Sequence, residues 1–86
     1  MPRISQFFGV AIYMYHNDHS PPHFHAEYGE EEAVYTIDTL DVLRGRLPRR
    51  AHNMVIEWAL EHRAELRANW DRAREQIPLE PIEPLD

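Results

Sequence analysis

The sequence predicts an α+β domain: a three- to four-stranded antiparallel sheet in meander order, crossed by one long C-terminal helix and followed by a proline-rich tail. Three observations predict it. The nine residues "FFGVAIYMY", Phe7 to Tyr15, are rich in aromatic and β-branched side chains. The six residues "HFHAEY", His23 to Tyr28, alternate in polarity with the period of two that a half-buried strand shows. Between Ala51 and Trp70, apolar residues recur at spacings of three and four, the period of a helix with one face on a core. The domain is expected to span residues 1–77, with the tail over 78–86.

Taken in order, Phe7 to Tyr15 reads as one strand with Phe8, Val10, Ile12 and Met14 on one face and Phe7, Ala11, Tyr13 and Tyr15 on the other. Both faces are apolar enough to be covered, as in a central strand or one that meets a partner. A turn follows through Asn17, Asp18, Ser20, Pro21 and Pro22, by local side-chain hydrogen bonding or a fixed φ. The second strand puts Phe24, Ala26 and Tyr28 on one face and His23, His25 and Glu27 on the other. Gly29 and the acidic run Glu30, Glu31 and Glu32 connect it to a third strand over Ala33 to Asp38. After a turn at Thr39 to Asp41, "VLRG" is a short fourth strand or an extended lead into the helix. These connections are too short for a parallel crossover, which needs a dozen or more residues.

Pro48 suits the first position of a helix, where its missing N–H is not needed. The helix is expected to run from Pro48 to about Glu75, with Ala51, Val55, Trp58, Ala59, His62, Leu66 and Trp70 as its stripe, widened by Met54, Ile56 and Leu60. Its N-cap is weak, because Leu47 has no side-chain acceptor. Arg67 and Asp71 are spaced to pair on the wet side. From Pro78 a proline stands at every third position and stops any helix. The same spacing recurs in Leu79, Ile82 and Leu85, which favours an extended segment laid in a groove over a solvated tail.

Composition narrows the function classes. With 86 residues, one core supplies modest stability, so self-association is an expectation. The absence of cysteine excludes disulfides, thiolate zinc sites and cysteine nucleophiles. A net charge of −6 opposes loose binding to nucleic acid or anionic membrane. Nucleic acid is left only a local patch, Arg44, Arg46, Arg49 and Arg50, which otherwise pairs with Glu30 to Glu32 or is simply solvated. No apolar run approaches the roughly 18 residues of a membrane span, and Met-Pro-Arg-Ile-Ser lacks the layout of a signal peptide, so a cytoplasmic setting is expected.

Four of six histidines fall within "HNDHSPPHFH", His16 to His25. At about 3.3 Å per residue, the α-carbons of His23 and His25 lie roughly 6.5 Å apart on one face, close enough for two imidazoles to reach one ion. With His16 and His19 swung back across the turn, three or four nitrogens could meet a divalent metal such as zinc, with Asp18 and Glu27 as candidate oxygens; His19, His23, His25 and Asp18 are the expected ligands. A metal-free alternative uses His23 and His25 as acid and base in RNA cleavage, with Arg49 or Arg50 holding the phosphate near a helix N-terminus. The plain reading is that turn histidines hydrogen-bond to backbone groups. Trp58 and Trp70 are expected in the core or an interface, and His62 as a half-buried histidine with its hydrogen bonds met.

"MPRISQFFGVAIYMY", "NDHSPPHFHAEYGE" and "LPRRA" before a helix containing "EW" together resemble a small bacterial family catalogued as domain of unknown function forty-one sixty, over roughly Met1 to Pro84. "PPHFHA", Pro21 to Ala26, is the most specific element. The resemblance draws attention to Asp18, His19, Pro22, His23, Phe24, His25, Pro48 and Arg49 without giving any of them a role. It implies a partner, the product of a neighbouring gene, in a two-protein module of toxin–antitoxin type.

Overall fold

The computed structural model describes residues 3–16 and 18–86; Asn17, expected in the turn, lies outside them. Five strands form one sheet: β1 (Arg3–Phe7), β2 (Val10–Tyr13), β3 (His23–Tyr28), β4 (Glu31–Thr36) and β5 (Val42–Gly45). Each pairs antiparallel with the next, in the order β1-β2-β3-β4-β5, so the meander is as the short connections predict. The fold class is α+β, with five strands instead of three or four and two helices instead of one.

The extra strand, β1, lies mostly before the run Phe7 to Tyr15 and forms a hairpin with β2, in which Phe7 pairs with Val10 across the two-residue loop Phe8-Gly9. Both loop residues have positive φ, 47° and 84°, as a type I′ turn requires to match the strand twist. Gly9 adopts that conformation freely, and Phe8 bears the steric penalty. The aromatic character of Phe8 hid the turn. It is also why the expected faces are exchanged there: Phe7 is buried with its ring 5.4 Å from that of Trp58, while Phe8 is 62% exposed.

On β3 the alternation holds. Phe24 and Ala26 are fully buried on the face that α1 (Arg49–Glu61) covers, where Trp58 packs edge-on against Phe24. Tyr35 of β4 lies beside them, stacked on Phe24, and its hydroxyl is hydrogen-bonded to His52 Nδ1 at 2.9 Å. Burial pushes the Tyr35 hydroxyl up to about 12. The loop between β3 and β4 is only Gly29 and Glu30, since Tyr28 pairs with Glu31, so Glu31 and Glu32 belong to the strand.

β5 is an edge strand whose four residues are all exposed. Val34 pairs with Arg44 and Tyr35 with Val42, which makes Leu43 the extra residue of a bulge. Gly45 holds φ 71° at its end, where a Cβ would stand 2.1 Å from the Glu32 carbonyl oxygen, so no larger residue fits.

The apolar stripe of the helix is continuous, yet the helix is not. α1 stops at Glu61, and α2 (Arg63–Arg74) restarts after His62, whose φ of −126° leaves the helical region. Its N–H bonds to Ala59 O, three residues back, while its ring lies against Trp58 and Nδ1 donates to Glu65. The second helix therefore restarts without a side-chain cap on its backbone, at a position with no glycine or proline to announce the break. α1 begins one residue later than predicted, after Pro48, and without a side-chain cap. Leu60, predicted on the apolar face, is exposed, whereas Ala51, Val55, Trp58, Ala59, Leu66 and Trp70 are buried.

The proline-rich end is laid down as the spacing of Leu79, Ile82 and Leu85 predicts. Ile82 is buried, and the other two pack against the core at its rim. The backbone is held as well: Ile82 N–H donates to Ile4 O at 2.8 Å, and Trp58 Nε1 to Glu83 O at 2.8 Å. The buried Asn69 amide binds Glu80 twice, donating to its carbonyl and accepting its N–H, each at 2.9 Å. Among the described residues no helix is long and apolar enough to cross a membrane.

If this docking stabilises the domain, Ile82→Ala should cost about 2–5 kcal/mol, the range for truncating a buried aliphatic side chain. Denaturant unfolding measures it; a loss below about 0.5 kcal/mol, typical of surface positions, contradicts the packing.

Candidate metal centre

Alternation on β3 sends His23 and His25 to the face opposite Phe24 and Ala26. Only 8% and 7% of their surfaces remain accessible, and the ring centroids are 5.3 Å apart. The Tyr15 ring meets His25 edge-on at 4.6 Å, and Trp70 of α2 lies 5.2 Å from His23. The corner before β3 contains the cis peptide Ser20–Pro21, and it returns Asp18 over both rings. Glu32 arrives from β4: Glu27 pairs with Glu32 and His25 with Val34, so Glu32 is the diagonal neighbour of His25 on the same face.

The hydrogen bonds assign the ring nitrogens. His23 Nδ1 lies 2.7 Å from the Pro21 carbonyl oxygen, which only accepts, so Nδ1 carries a proton and Nε2 is turned the other way. That Nε2 faces Asp18 Oδ2 at 3.2 Å. His25 repeats the pattern, with Nδ1 3.3 Å from Glu32 Oε2 and Nε2 3.2 Å from the same Asp18 oxygen. The ligating atoms of Asp18, His23 and His25 lie within 4.8 Å of one another.

Such an arrangement is rich in acceptors. A carboxylate oxygen and the bare nitrogen of a neutral imidazole attract only across a shared cation, which is either a second ring proton or a metal ion. The outer nitrogens meanwhile have the partners that metal-bound histidines usually have, a backbone carbonyl and a carboxylate.

Of the predicted ligands, Asp18, His23 and His25 therefore converge, while His19 does not join them; it is exposed and lines a neighbouring cleft. Arg49, expected to hold phosphate, is exposed in the first turn of α1. The guanidinium in that cleft belongs to Arg44. His16 is exposed, 3.4 Å from Ile77 O, and His52 and His62 are engaged with Tyr35 and Glu65. Glu32 was not singled out from the sequence. The register that places it follows from the two-residue Gly29-Glu30 loop, and that loop was the available signal.

Residues 9–71, well over half of the chain, match the family model described as "Domain of unknown function (DUF4160)", and the chain belongs to that family. The matched span is shorter than the Met1 to Pro84 over which the resemblance was read. No curated protein and no solved structure matches the chain.

The electrostatic field at the rim can be read from Tyr15. Burial, and then the charges of Glu27, Glu32, Tyr13 and Asp18, raise its hydroxyl above the usual 10.0. A raised folded value favours the neutral phenol, so its contribution to stability is complete below about pH 10 and is lost as pH climbs through the folded value. Replacing Glu27 and Glu32 by glutamine should move the Tyr15 phenolate transition to lower pH while burial keeps it above the free value. Ultraviolet absorbance against a Tyr15→Phe reference checks this; an unmoved transition would show that the carboxylates do not act on the ring.

Proposed function

We propose that this member of the family is a metal-binding domain whose centre is formed by His23 Nε2, His25 Nε2 and the Asp18 carboxylate, with zinc as the expected ion. The observation that carries the reading is the pairing of roles within each ring: the outer nitrogen is engaged by Pro21 or Glu32, and the inner one points at the common Asp18 oxygen. Two imidazoles and one carboxylate are three protein ligands, which leaves a coordination position for water or substrate. A metal held by these three residues would supply an activated water near neutral pH, and hydrolysis is the chemistry such a centre would suit. In this reading His23 and His25 are ligands instead of the acid and base of a metal-free ribonuclease.

A second reading, partner binding within a toxin–antitoxin-like two-protein module in the cytoplasm, is favoured by the state of the sheet edges. β1 is engaged by the tail through Ile82. β5 leaves Val42 and Leu43 44% and 48% exposed and carries Arg44, with Arg46 just beyond, in a chain of net charge −6. An extended acidic strand from the neighbouring gene's product would complete the ladder and match that local charge. Self-association through the same edge is the competing occupant.

Two measurements follow. Protein purified without a histidine tag should hold close to one zinc per chain by elemental analysis and melt higher with added zinc, by about 2.7 kcal/mol at a hundredfold excess over Kd. Asp18→Ala, His23→Ala and His25→Ala should each abolish that gain, and a native chain that takes up no metal removes the centre. For the partner, light scattering of the mixed proteins should show a complex that Val42→Glu weakens; two species that never co-elute remove the module reading, and a doubled mass of the chain alone assigns the edge to self-association.

A further inference from the structure

Next to the three ligands the chain forms a cleft of about 250 Å³, whose lining includes Asp18 and His23 on one side and Leu43 and Arg44 on the other, with His19 and Ser20 at the corner. Two of the proposed ligands are therefore also walls of the cleft. The bulge at Leu43 is what brings two consecutive residues of β5 to it, since in a regular strand they would face opposite ways. Among the described residues, no hydrogen bond or ion pair engages the Arg44 guanidinium. An uncommitted guanidinium across from a carboxylate-and-imidazole centre is a binding group without a ligand.

Resting on the metal reading above, we propose that this cleft binds the phosphate group of a small phosphate ester, which spans from the open coordination position of the metal to Arg44. The donors match a tetrahedral anion better than a planar one. Arg44 offers a planar fork for two oxygens, the metal would take another, and His19 and Ser20, whose hydroxyl accepts from Arg74 at 3.4 Å, line the corner. A carboxylate has only two oxygens to distribute over these groups. Leu43 gives the organic part of the ester an apolar wall. The cleft is smaller than the roughly 300–1,000 Å³ of sites for drug-sized ligands, so the phosphate end enters while the bulk of a larger ester stays outside. With a net charge of −6, the chain has no general attraction for anions, and the affinity must come from the metal and Arg44 together.

The test is calorimetric titration of inorganic phosphate, with acetate in parallel, into the zinc-loaded full chain and its Arg44→Ala and Arg44→Lys variants, with zinc content measured first. Arg44→Ala should lose about 10- to 100-fold in phosphate affinity at unchanged zinc content, Arg44→Lys should recover part of it, and acetate should bind more weakly than phosphate. Zinc uptake with phosphate binding absent or indifferent to Arg44 overturns the subsite and leaves the metal centre standing. Acetate binding as tightly as phosphate overturns the choice of ligand. A native chain that takes up no zinc overturns the centre and this inference with it.

Discussion

One carboxylate oxygen shared by two imidazoles, both nearly sealed from water, is the constraint on which the structure of the site depends. Asp18 Oδ2 lies 3.2 Å from Nε2 of each ring, and neither ring can turn away without giving up the partner of its other nitrogen. A buried polar group without a partner costs on the order of 1–3 kcal/mol, so the four groups and the Pro21 carbonyl hold one another in place. Of the two outer nitrogens one goes to a backbone carbonyl, that of Pro21, and the other to the Glu32 carboxylate, while both inner nitrogens meet Asp18.

The fold supplies this with few residues because β3 is used on both faces. Its inner face, Phe24 and Ala26, anchors the sheet to Trp58 and α1, which fixes the strand; its outer face then presents His23 and His25 at a spacing the backbone determines. β2 contributes Tyr15 just past its end, β4 contributes Glu32 one register step away, and the break at His62 separates the helix over the core from the helix whose Trp70 lies against His23. Each wall of the centre belongs to an element that also packs elsewhere, so packing energy positions the polar groups.

Much of this was legible in the sequence. Strict alternation in "HFHAEY" places the two histidines on one face, the short connections impose the meander, and the three-residue spacing at the C-terminus predicts a docked segment. What escaped did so for local reasons. Phe8 and Gly9 make a turn that aromatic neighbours disguise as strand, and His62 interrupts a stripe whose apolar period never falters, since one residue leaving helical φ does not alter the spacing of the side chains. Arg49 was chosen from among four arginines by its place at a helix start, but reach into the cleft is decided by the bulge at Leu43, and a one-residue change of register cannot be read from composition.

The distribution of charge gives the centre its direction. Glu27 and Glu32 stand directly opposite each other on adjacent strands, an arrangement that like charges make unfavourable by up to about 1 kcal/mol, and Asp18 adds a third carboxylate on the same face. Their effect reaches Tyr15, whose hydroxyl is held in the neutral form partly by these charges. A surface under no functional demand would relieve such a pair with a lysine or arginine, and nine arginines were available to this chain. None of them forms an ion pair with these three acids among the described residues. The groups that do meet Asp18 and Glu32 are the rings of His23 and His25, so the acidic side of the site and its imidazoles form one connected polar network on the outer face of β3.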